Sequence, residues 1–180
     1  MTNNLIITQN CIAKHLYKTY FLKRYETPFI NNVIDFNSMK YLIEHWYDIN
    51  FKNYELIKDN NWNFSIIIDK NVKIQYVHYK FDKNAKIIIK RKGEVFYNKI
   101  WEYIVNKYEQ RLKRMLDIKK EPLFILTNSD SLFKDAIYTN EQLNELSKYK
   151  NVIVFNNLKD KTVPESAKII YNTLFKNDRT

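Results

Sequence analysis

The chain has 180 residues, 45% hydrophobic and 28% charged, which is typical of one folded domain with a substantial core. Its formal net charge of +10 favours an anionic partner such as nucleic acid, an anionic glycan or an acidic membrane surface. A single glycine excludes a glycine-rich phosphate loop, and a single cysteine excludes an internal disulfide and a multi-cysteine zinc site.

The remaining composition supports no cofactor, metal or membrane assignment. No cofactor or metal is therefore predicted. The sequence does not open with a basic stretch before an apolar one, and no apolar run approaches the ~20 residues of a membrane span. We therefore expect a cytoplasmic protein without a membrane span. The abundance of Lys, Asn, Ile and Tyr also offers an explanation of the charge that needs no partner.

The first predicted elements are a strand and a helix. The short apolar run Leu5–Thr8 predicts a buried strand. Apolar residues at helical spacing follow and predict a helix over 12–21. That unit ends at Thr27-Pro28, because proline disfavours helix at the residue before it.

The middle of the chain predicts a second helix and a hairpin. The helix runs from Phe36 to Trp46, with Asp35 or Asn37 as the cap of its first turn. Strand-like patterns flank Asp69-Lys70-Asn71, which is a turn signal. A further short strand follows in AKIIIK, with Gly93 supplying the next turn.

The last third alternates helices and strands. It predicts a long helix from about Tyr97 to Met115, buried strands at 122–128 and 151–157, a capping box at Thr139–Gln142, and a last helix over about 164–175. The predicted fold class is α/β, a single domain over 1–180. Its sheet is mixed or mostly parallel and flanked by helices, in a Rossmann-like or papain-like arrangement.

Cys11 stands where the first strand passes into the first helix. Backbone N–H groups without helical partners and the positive end of the dipole gather there, and they favour the thiolate, which is the nucleophile. The same N–H groups can stabilise an oxyanion. Sites in open α/β sheets also lie at the carboxyl ends of strands. Cys11 is therefore a candidate nucleophile, and the alternative is a small buried hydrophobe.

Three histidines are candidates for the base that a thiol nucleophile needs. His15 lies one helical turn after Cys11, on a face that leads away from the strand end. His45 lies on the second helix, where a surface or capping role is expected. His78 lies on a strand, and a strand histidine facing a cysteine at a helix start is the geometry of thiol–imidazole enzymes. A hydrogen-bonded core histidine is the alternative for His78.

Four short motifs occur in an informative order. They are NLIITQNCIAKHLYKTYFLKRYETPFI, IQYVHY, KYEQRLKRML and LFIL, and they contain Asn10-Cys11, Pro28-Phe29, His78, Tyr108, Arg111 and Arg114. Over residues 4–157 this order resembles bacterial families of unknown function linked to surface-polysaccharide gene clusters, one of them described as papain-like cysteine peptidases.

The resemblance implies cysteine-dependent acyl chemistry in surface-polysaccharide biosynthesis or modification. Cys11 would attack a carbonyl, His78 would take and return the proton, and helix-start N–H groups would hold the oxyanion. The outcome is hydrolysis of an amide or ester, or acyl transfer to a sugar hydroxyl. Asn10, Arg111 and Arg114 are the predicted substrate-binding residues. The two arginines suit a phosphate or carboxylate, and a solvated basic edge is their alternative.

The orienting third member of a catalytic triad stays open. The resembled families commonly carry an acid just after Pro-Phe and another just after the histidine, where this chain has Ile30 and Tyr79. Asp82, Asn128 and Asp130 are the options. The last two follow a predicted strand end.

Two functions without catalysis are alternatives to the enzyme. One is a basic protein that binds single-stranded nucleic acid or an anionic glycan, because basic residues alternate with aromatic ones in one stretch. Its basic residues are Lys80, Lys83, Lys86, Lys90, Arg91 and Lys92. The other is a carbohydrate-binding or assembly partner that keeps the fold alone.

Overall fold

The computed structural model describes residues 5–22, 27–30, 32–58, 63–82, 87–90, 95–96, 100–118, 121–129 and 136–176. Within these ranges the strands are β1 (Leu5–Ile7), β2 (Val33–Ile34), β3 (Tyr54–Lys58), β4 (Asn63–Ile68), β5 (Val72–Asp82), β6 (Ile87–Lys90), β7 (Val95–Phe96), β8 (Pro122–Thr127) and β9 (Val152–Phe155). The α-helices are α1 (Ile12–His15), α2 (Phe36–His45), α3 (Ile100–Ile118), α4 (Asn140–Leu146) and α5 (Val163–Leu174).

A three-stranded parallel sheet with the order β1-β8-β9 forms one half of the fold. Because side chains alternate across a strand, Leu5 and Ile7 enter one apolar cluster and Ile6 enters another. Ile6 packs in the cluster that contains residues of α1 and α5, whereas Leu5 and Ile7 share a cluster with α2, α3 and α4. The strands predicted at the start of the chain and at 122–128 and 151–157 are confirmed; β1 and β8 are mainly buried, whereas β9 is half-buried after Val152.

A six-stranded sheet forms the other half. Its order is β3-β4-β5-β6-β7, all antiparallel, and β2 pairs with β5. Asp69 and Lys70 close the β4–β5 hairpin with φ of 48° and 62°, so the predicted turn is confirmed. The α/β class and the single domain are confirmed, and the strands divide between a parallel and an antiparallel sheet.

Several helix ends follow from local sequence. The Asp35 side chain accepts from the Ser38 N–H at 2.9 Å, so Asp35 rather than Asn37 caps α2. The capping box of Thr139 and Gln142 is present at α4. A second box begins α5 at Thr162. No helix in the described parts of the chain has the length and hydropathy to cross a bilayer.

The helix predicted over 12–21 is only partly α-helical. α1 passes directly into a π-helical segment, Leu16–Phe21. Within it, the Tyr17 hydroxyl accepts from the Ile6 N–H at 3.0 Å, and Tyr20 stacks on Tyr171 of α5 at 4.4 Å between ring centroids. These tertiary contacts stabilise a turn that the helical spacing does not predict. The segment ends at Leu22, with φ of 54° and 84% of its side chain exposed.

Candidate active site at the carboxyl edge of the parallel sheet

Cys11 lies where the sequence predicts it, between β1 and α1. It is the N-cap residue of α1 and is half-buried. Its φ of −74° and ψ of 4° are not those of an extended cap. The strand-to-helix junction is therefore confirmed, and Cys11 is not sealed in the apolar core.

Buried polar residues gather beside Cys11 at the ends of β1 and β8. We call Thr8, Gln9, Asn10, Thr127 and Ser129 the polar edge cluster, and each is at most 2% exposed. The Gln9 Nε2 donates to the Thr127 carbonyl at 2.5 Å and to its Oγ1 at 3.3 Å. The Thr127 and Ser129 hydroxyls are 2.8 Å apart. The cluster exists because parallel pairing brings the carboxyl ends of β1 and β8 together.

The first N–H groups of α1 bind side chains of the preceding loop. The Ile12 N–H donates to Asn10 Oδ1 at 3.0 Å, and the Ala13 N–H donates to Thr8 Oγ1 at 3.2 Å. The expectation that helix-start N–H groups hold an oxyanion is therefore not met by these two groups. An oxyanion next to Cys11 needs other donors.

Within the part of the chain that the structure describes, two buried atoms of the polar edge cluster have no hydrogen-bond partner. They are Gln9 Oε1 and Asn10 Nδ2. An unsatisfied buried polar group costs about 1–3 kcal/mol. Such groups gather where a ligand or an internal water completes a site. Residues 8–11 therefore combine a half-buried thiol with an unused acceptor and an unused donor.

Two of the three candidates for the third catalytic residue, Asn128 and Asp82, belong to the described residues. Asn128, after β8, donates from Nδ2 to the Asn156 carbonyl and accepts at Oδ1 from the Leu158 N–H at 2.9 Å. Both atoms of its amide thus link β8 to the segment after β9. Asp82 is the last residue of β5. Asp130 lies outside the described residues.

His78 lies on β5, the central strand of the antiparallel sheet. Phe64 pairs with Tyr76 and Asn63 with Lys80, so one step along β4 corresponds to four along β5. His78 therefore lies in a β-bulge, a feature that is common next to active sites. Its strand belongs to a different sheet from β1.

The strand β2 connects the loop of Cys11 to the strand of His78. The Ile34 N–H donates to the Gln9 carbonyl at 3.1 Å, and Ile34 pairs with Ile74 of β5. His78 lies four residues after Ile74 on the same strand. The structure thus ties both candidate catalytic elements to β2.

His15 and His45 differ in their surroundings. His15 is half-buried. Burial lowers its pKa below the usual 6.5, and the positive charges of Lys14 and Lys18 lower it further. It is therefore neutral at pH 7 and stays an alternative base. His45 is the last residue of α2, and its ring lies 4.4 Å from that of Tyr41.

Arg111 is buried rather than part of a solvated basic edge. It is 4% exposed, and a guanidinium nitrogen donates to the Ile30 carbonyl at 2.9 Å. Burial raises the pKa of the neighbouring Tyr76 to about 12, although Arg111 and Asn32 act in the opposite direction. Arg114 is half-buried.

An open cleft of about 630 Å³ lies between β3 and α3, and none of its lining residues was predicted to belong to a site. The Tyr54 hydroxyl donates to Glu109 at 2.5 Å, and burial and this bond raise the pKa of Tyr54 to about 12. The lining residues are Lys52, Tyr54, Glu109, Leu112, Lys113, Leu116 and Asp117. Two cations and two acids give the cleft no net charge preference.

The predicted basic stretch is described only in part. Lys80 lies on β5 and pairs with Ile89, and Lys90 lies on β6 and pairs with Tyr79. Lys83, Lys86, Arg91 and Lys92 lie outside the described residues.

Sequence reasoning missed Gln9, Thr127 and Ser129. Their signal was polar residues directly after two apolar runs, in TQN and LTNS. In the described ranges, no group of three His, Cys, Asp or Glu side chains could hold a metal ion. No protein-family model matches this sequence, and no curated protein matches it.

Proposed function

We propose that the protein carries out cysteine-dependent acyl hydrolysis or transfer, with Cys11 as the nucleophile and His78 as the base. The observation that carries this proposal is the position of Cys11, half-buried at the carboxyl edge of the parallel sheet beside the polar edge cluster. Ligand sites in α/β folds concentrate at this edge. The β-bulge at His78, the proposed base, also supports the proposal, because β-bulges are common next to active sites.

The proposed reaction has two steps. In the first, the thiol proton passes to His78 and the sulfur bonds to the carbonyl carbon, and the leaving group departs with that proton. In the second, a water or sugar hydroxyl gives its proton to His78 and bonds to the same carbon. The C–S bond then breaks, and the proton returns to sulfur. Asp82 and Asp130 stay candidates for orienting His78.

The proposed substrate is an acylated surface polysaccharide or a precursor of one. The order of the short motifs that resemble the polysaccharide-linked families supports this choice, and so does the net charge of +10, which suits an anionic glycan. Asn10 and Arg114 are the proposed substrate-binding residues, with Arg111 as a buried neighbour.

The test is a covalent intermediate trapped on Cys11. When p-nitrophenyl acetate is mixed with the His78→Ala protein, we expect one acetyl group on Cys11 in peptide mass spectrometry. The nitrophenyl ester is reactive enough to acylate the Cys11 thiolate without His78, and the intermediate accumulates because the second step lacks its base. The Cys11→Ala protein serves as the control and should gain no acetyl group in the peptide that contains residue 11. A folded protein that never gains the acetyl group would contradict the proposal.

Alkylation of Cys11 gives a prediction that needs no substrate. The rate of reaction with iodoacetamide is expected to show an inflection clearly below pH ~8.5, the ordinary value for a cysteine thiol, because the start of a helix favours the thiolate. Rates are measured from pH 5 to 10 with mass detection. If Cys11 reacts slowly until the chain is denatured, it belongs to the core.

A second candidate function is binding of an anionic polymer without catalysis, favoured by the net charge alone. In that case, or alongside catalysis, binding to single-stranded nucleic acid is expected to be weak, independent of sequence and steeply reduced by salt. Fluorescence anisotropy with two oligonucleotides of different sequence measures this affinity at 50 and 200 mM salt. If the protein contacts 6–10 phosphates, the affinity should fall by about 10³ or more between these two concentrations. Tight, sequence-selective binding at physiological salt would favour the binding protein over the enzyme.

A further inference from the structure

We propose that the outer edge of β3 is an interface at which a second copy of this chain adds its own β3, antiparallel, about a two-fold axis through Leu56. The proposal does not depend on the chemistry at Cys11. Among the described residues β3 is the first strand of the antiparallel sheet and pairs with β4 alone. With five residues it is the longest edge strand that the structure describes. An unpaired edge of this kind is a template for a strand of another chain.

The backbone of β3 presents hydrogen-bonding groups on the side away from β4. The Asp69 N–H donates to the Asn53 carbonyl at 2.7 Å, and the planar trans peptide therefore directs the Tyr54 N–H to the opposite side. Ladder bonds of an antiparallel pair alternate from one residue to the next. The residues that present N–H and C=O groups outward are therefore Tyr54, Leu56 and Lys58. No backbone hydrogen bond between described residues reaches these groups.

Two copies of β3 satisfy these groups in one register. When Leu56 lies opposite Leu56 of the second copy, Tyr54 lies opposite Lys58, and the outward residues form three hydrogen-bonded pairs. A shift of two residues loses one of these pairs. The exposed Glu55 then lies opposite Ile57 of the second copy, so no like charges stand directly opposite each other. The edge is thus self-complementary, as a two-fold interface requires.

The charges beside β3 favour the same partner. The net charge of +10 opposes the association of two copies in general. The cleft between β3 and α3 is instead lined by two cations and two acids, namely Lys52, Lys113, Glu109 and Asp117. It therefore adds no net repulsion to this interface and gives an anionic partner no advantage. Leu116 lines the same cleft and is 40% exposed, so a second strand along the edge would meet an apolar surface as well.

Sedimentation velocity over about a hundredfold range of protein concentration tests the association. We expect the average mass to rise towards twice the monomer mass as the concentration rises. Leu56→Lys should lower the dimer affinity by about tenfold or more, because it sets two like charges opposite each other at the axis. Leu22→Lys makes the same exchange at a side chain that is 84% exposed and should leave the affinity unchanged. A chain that is monomeric at every concentration would overturn the proposal.

Cysteine cross-linking tests the register, and it decides the matter if Leu56→Lys does not fold. In a Cys11→Ala background each chain carries one introduced thiol. Leu56→Cys sets the two Cα atoms about 5.5 Å apart, within the range of a disulfide, so oxidation should give a covalent dimer. Glu55→Cys is the control, because its two Cα atoms are about 8 Å apart, beyond that range. Equal yields from the two variants, or a higher yield from Glu55→Cys, would contradict the proposed pairing.

Amide hydrogen exchange separates a second copy from another segment of the same chain. Peptides that contain β3 should exchange more slowly at high than at low protein concentration, because pairing protects the outward N–H groups. Leu56→Lys should abolish this difference, and Leu22→Lys should keep it. Protection of β3 that is equal at all concentrations would mean that the edge is covered within one chain, and the proposed interface would be wrong.

Discussion

Replacing either Cys11 or His78 by alanine is expected to remove most turnover of an acyl substrate, and the double replacement is expected to be little worse. Loss of a general base costs about 10²–10⁴ in rate, and loss of the nucleophile removes the covalent route. Groups that act in one step give effects that are not additive. The measurement is kcat/KM for p-nitrophenyl acetate hydrolysis in the two single variants and the double variant.

The same experiment has two controls in the chain. His15→Ala should leave turnover nearly unchanged if His15 is only a helix residue, although its half-buried, neutral imidazole one turn from Cys11 makes it the main rival base. Cys11→Ser should keep the fold, because a thiol is exchanged for a hydroxyl. If His15→Ala is the damaging change, or if Cys11→Ser unfolds the protein, the assignment of Cys11 and His78 as a pair is wrong.

Leu16→Ala is expected to lower the free energy of unfolding by about 2–5 kcal/mol, the usual cost of a large cavity in a packed core. Leu16 is 0% exposed and belongs to the apolar cluster that joins the π-helical segment, α5 and Ile6 of β1. The change therefore weakens the packing that holds the Cys11 junction against the parallel sheet. Urea denaturation followed by circular dichroism gives the midpoint and the m-value.

Leu22→Ala is the matched control. It removes the same atoms from a leucine six residues later, at the end of the same helical stretch, where 84% of the side chain is exposed. Its effect should stay within about 0.5 kcal/mol, as for other surface changes. Equal losses in the two variants would mean that Leu16 is not in the core as described.

Features that depend on neighbours in the chain were predictable. Asp35, one of the two predicted caps, caps α2; Thr139 and Gln142 form a capping box, and Asp69 and Lys70 turn the hairpin. Each uses hydrogen bonds or φ values set within a few residues. The placement of Cys11 at a strand-to-helix junction belongs to the same class, since an apolar run and a helical spacing meet there.

Features that depend on long-range pairing were not predictable from these patterns. The predicted helix over 12–21 becomes a π-helix in its second half, where Tyr17 and Tyr20 contact β1 and α5. The predicted anion-binding Arg111 is buried against the Ile30 carbonyl, 81 residues away in the chain. Helical spacing alone cannot distinguish these outcomes, because it reports which face is apolar and not what covers that face.

For this chain, local patterning was enough to specify the α/β class, the caps, the turn and the position of its cysteine. Tertiary contacts alone set the division into two sheets, the bulge at His78 and the polar edge cluster. The physical reason is the distance over which each interaction acts. A cap is closed within one turn, whereas the Gln9–Thr127 contact joins residues 118 apart and forms only when β1 and β8 pair.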